Sequence, residues 1–227
     1  MNNICIGIVD DDKGHVTDIQ RVFARYSKRE DTSLSFSYES FYKDENSDYD
    51  SLLESIMVAI KAQSIDCLII DYKLVFTHET NKGADIINTV RDILPEFPCI
   101  ILTGRGDECA KEFRVDPDKI YVKEDFLAIG EAISTSLVRK IISNVIITKK
   151  RKQELIAQID TLKERIKSAE EGINVNKLIE QIIVLESRLD KYCMVGQSEI
   201  DKIYDTSSLE KIVSLIEKAN DLLDNGE

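Results

Sequence analysis

Short apolar runs alternate with longer stretches of helical period along the first 125 or so residues. Runs of strand length fall at ICIGIV (4 to 9), LSFSY (34 to 38), CLII (67 to 70), CIIL (99 to 102) and KIYV (119 to 122). Between them the apolar positions recur with the spacing of amphipathic helices, predicting helices near 14 to 27, 47 to 63, 83 to 94, 106 to 113 and from 125 onward. Strands that alternate with helices in this way predict an α/β fold built on a parallel sheet of five βα units. The second helix follows the acidic segment KDENSDYD, whose aspartates suit a helix start.

Beyond residue 125 the pattern changes to heptads. Leu155, Ile159, Leu162, Ile166 and Ala169 alternate in steps of four and three, and after Gly172 and Asn174 a second seam runs through Val175, Leu178, Ile182, Leu185, Leu189 and Tyr192. A third amphipathic stretch covers 207 to 224. A fifth helix of about 45 residues would extend roughly 70 Å, well past the ~40 Å breadth of the domain it starts from. Its far half therefore needs a partner. The shortest solution folds residues 174 to 193 back as an antiparallel hairpin, and pairing with a second chain is the alternative. The expected division is residues 1 to 140 as the α/β domain and 141 to 227 as a helical module.

Composition narrows the function classes. The chain has 227 residues, a formal net charge of -12 and 43% hydrophobic residues, enough to bury a core. Residues 1 to 148 carry 17 Lys+Arg against 26 Asp+Glu, a net of -9, and the remainder carries 13 against 16, a net of -3. The one basic run, KKRK at 149 to 152, is soon followed by acids and reads as a solvated helix face, so no nucleic-acid partner is expected. No segment has the apolar length of a membrane span, and the first residues lack a signal-peptide pattern, so the expectation is a cytoplasmic protein with no membrane partner. Cys5, Cys67 and Cys99 fall within strands, Cys109 and Cys193 stand apart, and none has metal-ligand spacing. His15 and His78 are the only histidines, and both read as solvent-facing loop or helix-start residues.

The chemistry gathers at strand ends. In an open parallel sheet the loops at the carboxyl ends of the strands share one rim, where ligands bind. Asp10, Asp11 and Asp12 follow the first strand, Asp71 the third, Thr103 the fourth and Lys123 the fifth. Taken singly, the aspartates could cap the first helix, Thr103 could satisfy a loop and Lys123 could lie on the surface. Taken together, clustered carboxylates call for a cation, and oxygen ligands in small number suit Mg²⁺. Asp10, Asp11 and Asp71 would supply that site. Asp71 would then be a carboxylate nucleophile, with Thr103 and Lys123 holding the oxygens of an incoming phosphoryl group.

With "IVDDD", "LIID", "IILTG" and "YVK" in this order, residues 1 to about 140 resemble the receiver domain of response regulators in two-component signalling. The resemblance implies a doubly wound, flavodoxin-like sheet of order 2-1-3-4-5. It implies that Asp71 is the phosphoacceptor, charged by a histidine kinase or a small phosphodonor, with Mg²⁺ held by Asp10, Asp11, Asp71 and the backbone carbonyl of Lys73. Thr103 would contact the phosphoryl group and Lys123 would pair with it. Output would pass to a downstream protein partner or to a homodimer formed through the fifth helix and tail, and the protein would not be an enzyme beyond its own phosphorylation and dephosphorylation.

The chain departs from the family pattern in three places. Ile120 stands three before the lysine, where an aromatic is usual, with Tyr121 one place later. Glu124 follows Lys123 where proline is common. The segment from Asp71 to Gly83 is long and lacks the common proline, so a loop carrying His78 and Glu79 could overhang the site, with a role for His78 in tuning phosphoryl lifetime as the minority alternative to a solvent-facing side chain. Two alternatives follow from other features: a receiver-like scaffold independent of phosphorylation, and a haloacid-dehalogenase-like phosphatase using Asp10 and Asp12 as a D-x-D pair. The phosphatase reading lacks an acidic pair closing a later strand.

Overall fold

In the computed structural model, residues 2–41, 48–74, 83–104, 116–168 and 175–194 are described. Five strands, β1 (Asn2–Val9), β2 (Leu34–Phe41), β3 (Cys67–Asp71), β4 (Cys99–Thr103) and β5 (Ile120–Val122), form one parallel sheet in the order β2-β1-β3-β4-β5. This is the α/β architecture and strand order expected from the sequence. The central strand explains why its run is continuously apolar: Cys67, Leu68, Ile69 and Ile70 are all buried, because helices cover both faces of the sheet.

Each face has its own core. Helices α1 (Lys13–Arg29) and α5 (Ala132–Lys167) cover one, where Phe23, Phe126, Val138 and Val145 meet Ile6, Ile8 and Ile69. Helices α2 (Tyr49–Lys61) and α3 (Gly83–Ile93) cover the other, where Ile56, Ile86 and Ile87 meet Leu68, Ile70 and Ile101. Asp12 is the N-cap of α1 and accepts from the Gly14 N–H at 2.7 Å, while Lys28 and Arg29 lie in the last turn, where cations oppose the helix dipole. Asp48 caps α2 by accepting from the Ser51 N–H at 2.8 Å, so the acidic segment before this helix does start it.

The fifth helical segment differs from its expected form. A short helix α4 (Lys123–Leu127) comes first, the chain turns through Gly130 at φ 95, and α5 begins at Ala132. The Ser134 hydroxyl donates to the Phe126 carbonyl at 2.6 Å and ties the two helices at the break. The long helix therefore has 36 residues rather than about 45, and it passes without interruption through residue 140, where a domain boundary was expected. The chain divides instead into compact units Met1–Met194 and Val195–Glu227. The second unit, with the amphipathic stretch 207 to 224, lies outside the described residues, as do the expected fourth helix at 106 to 113, Cys109, His78 and Glu79.

Helix α5 outgrows the sheet, and helix α6 (Val175–Leu189) answers it within the same chain. Ile159 of α5 and Leu178 and Ile182 of α6 are buried along the seam, and Lys163 pairs with Glu186 at 3.6 Å. The far edge of the sheet anchors both arms. Lys149 Nζ reaches Asp66 Oδ2 at 2.7 Å, and that carboxylate also accepts from the Cys5 N–H at 2.9 Å. On the returning arm the Glu96 N–H donates to the Lys191 carbonyl at 3.0 Å, and Met194 packs against the α2–α3 core.

One close approach sets the geometry of the β3 tip. The Gly83 N–H donates to the Tyr72 carbonyl at 2.8 Å, and a Cβ on Gly83 would collide with the Asp71 carbonyl oxygen and lie 2.7 Å from Ile70 Cγ2. Helix α3 can start this near Asp71 only because residue 83 has no side chain. Gly83→Ala is expected to lower stability by about 1 to 3 kcal/mol, measured as a reduced urea midpoint with an unchanged denaturant slope.

Candidate functional site

The site stands at the carboxyl ends of β1, β3 and β5. Asp10 follows β1 and is 2% exposed; Asp71 closes β3 and Lys123 follows β5, each with its side chain 12% exposed. The Lys123 ammonium reaches Asp10 Oδ2 at 3.1 Å and Asp71 Oδ1 at 2.5 Å. Asp71 Oδ2 accepts from the Lys73 N–H at 3.1 Å, and Asp10 Oδ1 accepts from the Asp12 N–H at 2.9 Å. Three side chains distant in sequence thus meet through one cation, and local backbone donors hold the outer carboxylate oxygens.

The remaining expected residues fall around this centre. Thr103 is 2% exposed at the end of β4, one residue past Leu102, which is the register partner of Asp71. Of the three consecutive aspartates, Asp10 turns inward, Asp12 serves as a helix cap and Asp11 is exposed. Backbone hydrogen bonding from Gly14 holds the Asp12 carboxyl below its ordinary range. The capping role was therefore the right one for Asp12 and the wrong one for Asp10.

Sequence reasoning missed a role for His15. It lies in the first turn of α1 and is 41% exposed, yet Nδ1 is 3.3 Å from Lys123 Nζ and 3.5 Å from Asp10 Oδ1. The available signal was its place five residues after Asp10, on a helix that begins at the rim.

Charge at the centre is unbalanced, with two carboxylates facing one ammonium. Burial raises the Asp71 carboxyl above its ordinary range; hydrogen bonding and attraction to Lys123 oppose this, and repulsion from Asp10 adds to it. At Lys123 burial alone would favour the neutral amine, but pairing with Asp71 and Asp10 outweighs it and the value rises. The two groups respond differently because burial prevails over a single ammonium at Asp71, whereas at Lys123 two carboxylates together outweigh it.

For Mg²⁺ the donor set fits in kind. Asp10 and Asp71 supply hard oxygens, and a site with excess negative charge favours a cation that keeps several waters of its own. Among the described residues no group of three or more His, Cys, Asp or Glu side chains gathers as metal ligands. Asp10 and Asp71 meet at Lys123, Asp11 is exposed next to Asp10, and Lys73 is two residues beyond Asp71 in the chain.

The altered positions near Lys123 separate cleanly. Ile120 packs against the α2–α3 core, whereas Tyr121 belongs to the core under α1 and α5. Neighbouring residues of a strand point to opposite faces, so Tyr121 does not replace an aromatic at 120. Cys67 and Cys99 are buried thiols, and burial pushes Cys99 up to about 12. No described helix is long and apolar enough to cross a membrane. The chain matches no protein-family model, and no curated protein matches it either.

Lys123 contributes stability that is complete below the ordinary lysine range and is lost as pH rises through its raised value. Asp71 has the opposite sign: its ionisation costs the folded protein nothing below the ordinary carboxylate range, and the full cost is present above the raised value. Lys123→Met is expected to cost about 2 to 4 kcal/mol near neutral pH, because two buried carboxylates lose their cation. Urea melts of the variant and parent should converge as pH falls and Asp71 is protonated.

Proposed function

We propose that the chain is a response regulator of two-component signalling, in which Asp71 accepts a phosphoryl group from a histidine kinase or a small phosphodonor. The single observation carrying this is the contact of one nearly buried ammonium, Lys123, with both Asp10 and Asp71. In the transfer an Asp71 oxygen attacks phosphorus while the bond from phosphorus to the donor's leaving atom breaks, and that atom, the imidazole nitrogen of a phosphohistidine or the carboxylate oxygen of an acyl phosphate, takes the electron pair. Lys123 exchanges part of its pairing with Asp71 for the phosphoryl oxygens, and Thr103, which ends β4 on the same rim, would bind another through its hydroxyl. Mg²⁺, when bound by Asp10 and Asp71 with Asp11 and the Lys73 carbonyl as further donors, would neutralise charge on the transferring group. Excess negative charge at the pair supports a need for such a cation.

Output in this proposal runs through α5 and the hairpin, either to a downstream protein partner or to a homodimer. Support comes from apolar side chains left exposed on this module: Ile147 on α5, and Ile179, Ile183 and Val184 on α6. A second reading, a scaffold insensitive to phosphorylation, draws on Ile120, which leaves the position three before Lys123 without an aromatic, and on the long segment from Asp71 to Gly83. The use of Asp12 as a helix cap weighs against the phosphatase reading, whose acid it would have to be.

Incubation with acetyl phosphate and Mg²⁺ should add the mass of one phosphoryl group to the parent and none to Asp71→Ala. No adduct from several donors would overturn the proposal. Beryllofluoride should change the sedimentation coefficient or the affinity for a captured partner; an unchanged value together with normal phosphorylation would favour the scaffold.

A further inference from the structure

We infer that His15 is a positioning residue for Lys123, its Nδ1 accepting a hydrogen bond that fixes the ammonium over Asp10 and Asp71. The contact is independent of the receiver reading, but its consequence for phosphoryl transfer rests on that reading. An ammonium carries three donors. Asp10 Oδ2 at 3.1 Å, Asp71 Oδ1 at 2.5 Å and His15 Nδ1 at 3.3 Å supply three acceptors from three separate elements. A long flexible side chain held by two carboxylates alone can swing between them, and a third acceptor removes that freedom.

The hydrogen-bond network also assigns the ring's tautomer. Nδ1 lies 3.5 Å from Asp10 Oδ1 and 3.9 Å from Asp12 Oδ2, so a protonated Nδ1 would face two carboxylates. Asp10 is already served by Lys123 and by the Asp12 N–H, and Asp12 by the Gly14 N–H. The shorter contact, to Lys123, is a hydrogen bond only with Nδ1 as acceptor, because an ammonium can only donate, and that tautomer carries its proton on Nε2.

The arrangement matters when Asp71 reacts. As its oxygen bonds to phosphorus and the donor's leaving atom, nitrogen in a phosphohistidine or oxygen in an acyl phosphate, departs with the electron pair, the pairing of Asp71 with Lys123 weakens. His15 and Asp10 then keep the ammonium where charge develops on the phosphoryl oxygens, so less reorganisation is needed at the moment of transfer.

The full chain and its His15→Ala, His15→Asn and His15→Gln variants separate acceptor from bulk. Asn places a polar atom near the level of Nδ1, whereas Gln reaches the level of Nε2. Acetyl phosphate labelling of Asp71 should slow about three- to tenfold in the Ala and Gln variants and stay within about twofold of the parent in the Asn variant. Without any phosphodonor, the Lys123 ammonium signal in ¹⁵N NMR should be protected from exchange in the parent and in His15→Asn and broadened in His15→Ala. Circular dichroism verifies folding, which a half-exposed side chain leaves intact. Equal labelling rates in all four proteins, equal slowing in all three variants, or an ammonium signal indifferent to His15→Ala would overturn the inference. A parent that takes no phosphoryl group would refute the receiver reading instead, and the ammonium signal would still judge the contact.

Discussion

The Lys123 ammonium between Asp10 and Asp71 is the contact around which the rim is organised. It joins the first residue of α4 to the ends of β1 and β3, so it links chain segments more than fifty residues apart. Two buried carboxylates could not otherwise face each other in a place of low dielectric. Burial raises the Asp71 carboxyl in spite of that pairing, and two carboxylates around one ammonium leave net negative charge at the rim.

Backbone packing brings Asp71 to that contact. Burial of β3 on both faces fixes the strand, the Gly83 approach lets α3 begin beside its tip, and the Lys73 N–H sets the carboxylate's orientation. None of these restraints uses the side-chain oxygen that faces Lys123. In the proposed phosphoryl transfer, Asp71 would be held by its outer oxygen and its backbone and would keep the other oxygen for exchange between ammonium and phosphorus.

The helical module is an extension of the same body. Helix α5 contributes Val138, Ile141, Ile142 and Val145 to the core and then continues beyond the sheet, where α6 covers its seam. Lys149 on the outgoing arm and Lys191 on the returning arm tie the hairpin to loops at the amino ends of the strands, the edge opposite the reactive rim. Any influence of the rim on the hairpin must therefore cross the sheet layer, and α5, which packs on the sheet and also forms the hairpin, is the continuous path.

Hydrophobic periodicity by itself determined the five strands, the parallel α/β class, the existence of the second seam and the residues at each strand end, because burial on two faces demands apolar runs and leaves polar residues at their tips, whereas pairing of that seam within one chain was decided by the tertiary structure. Asp10, Asp71 and Lys123 were legible for this reason. Only the tertiary structure decided which of three adjacent aspartates turns inward, since Asp10, Asp11 and Asp12 differ in no local property and are distinguished by what faces them across the rim. His15 was hidden for the same reason, its partner being 108 residues away. The break at Gly130 and the opposite facing of Ile120 and Tyr121 likewise depend on how α4, α5 and β5 pack. Periodicity reports which positions are buried, and packing determines what each buried or half-buried group meets.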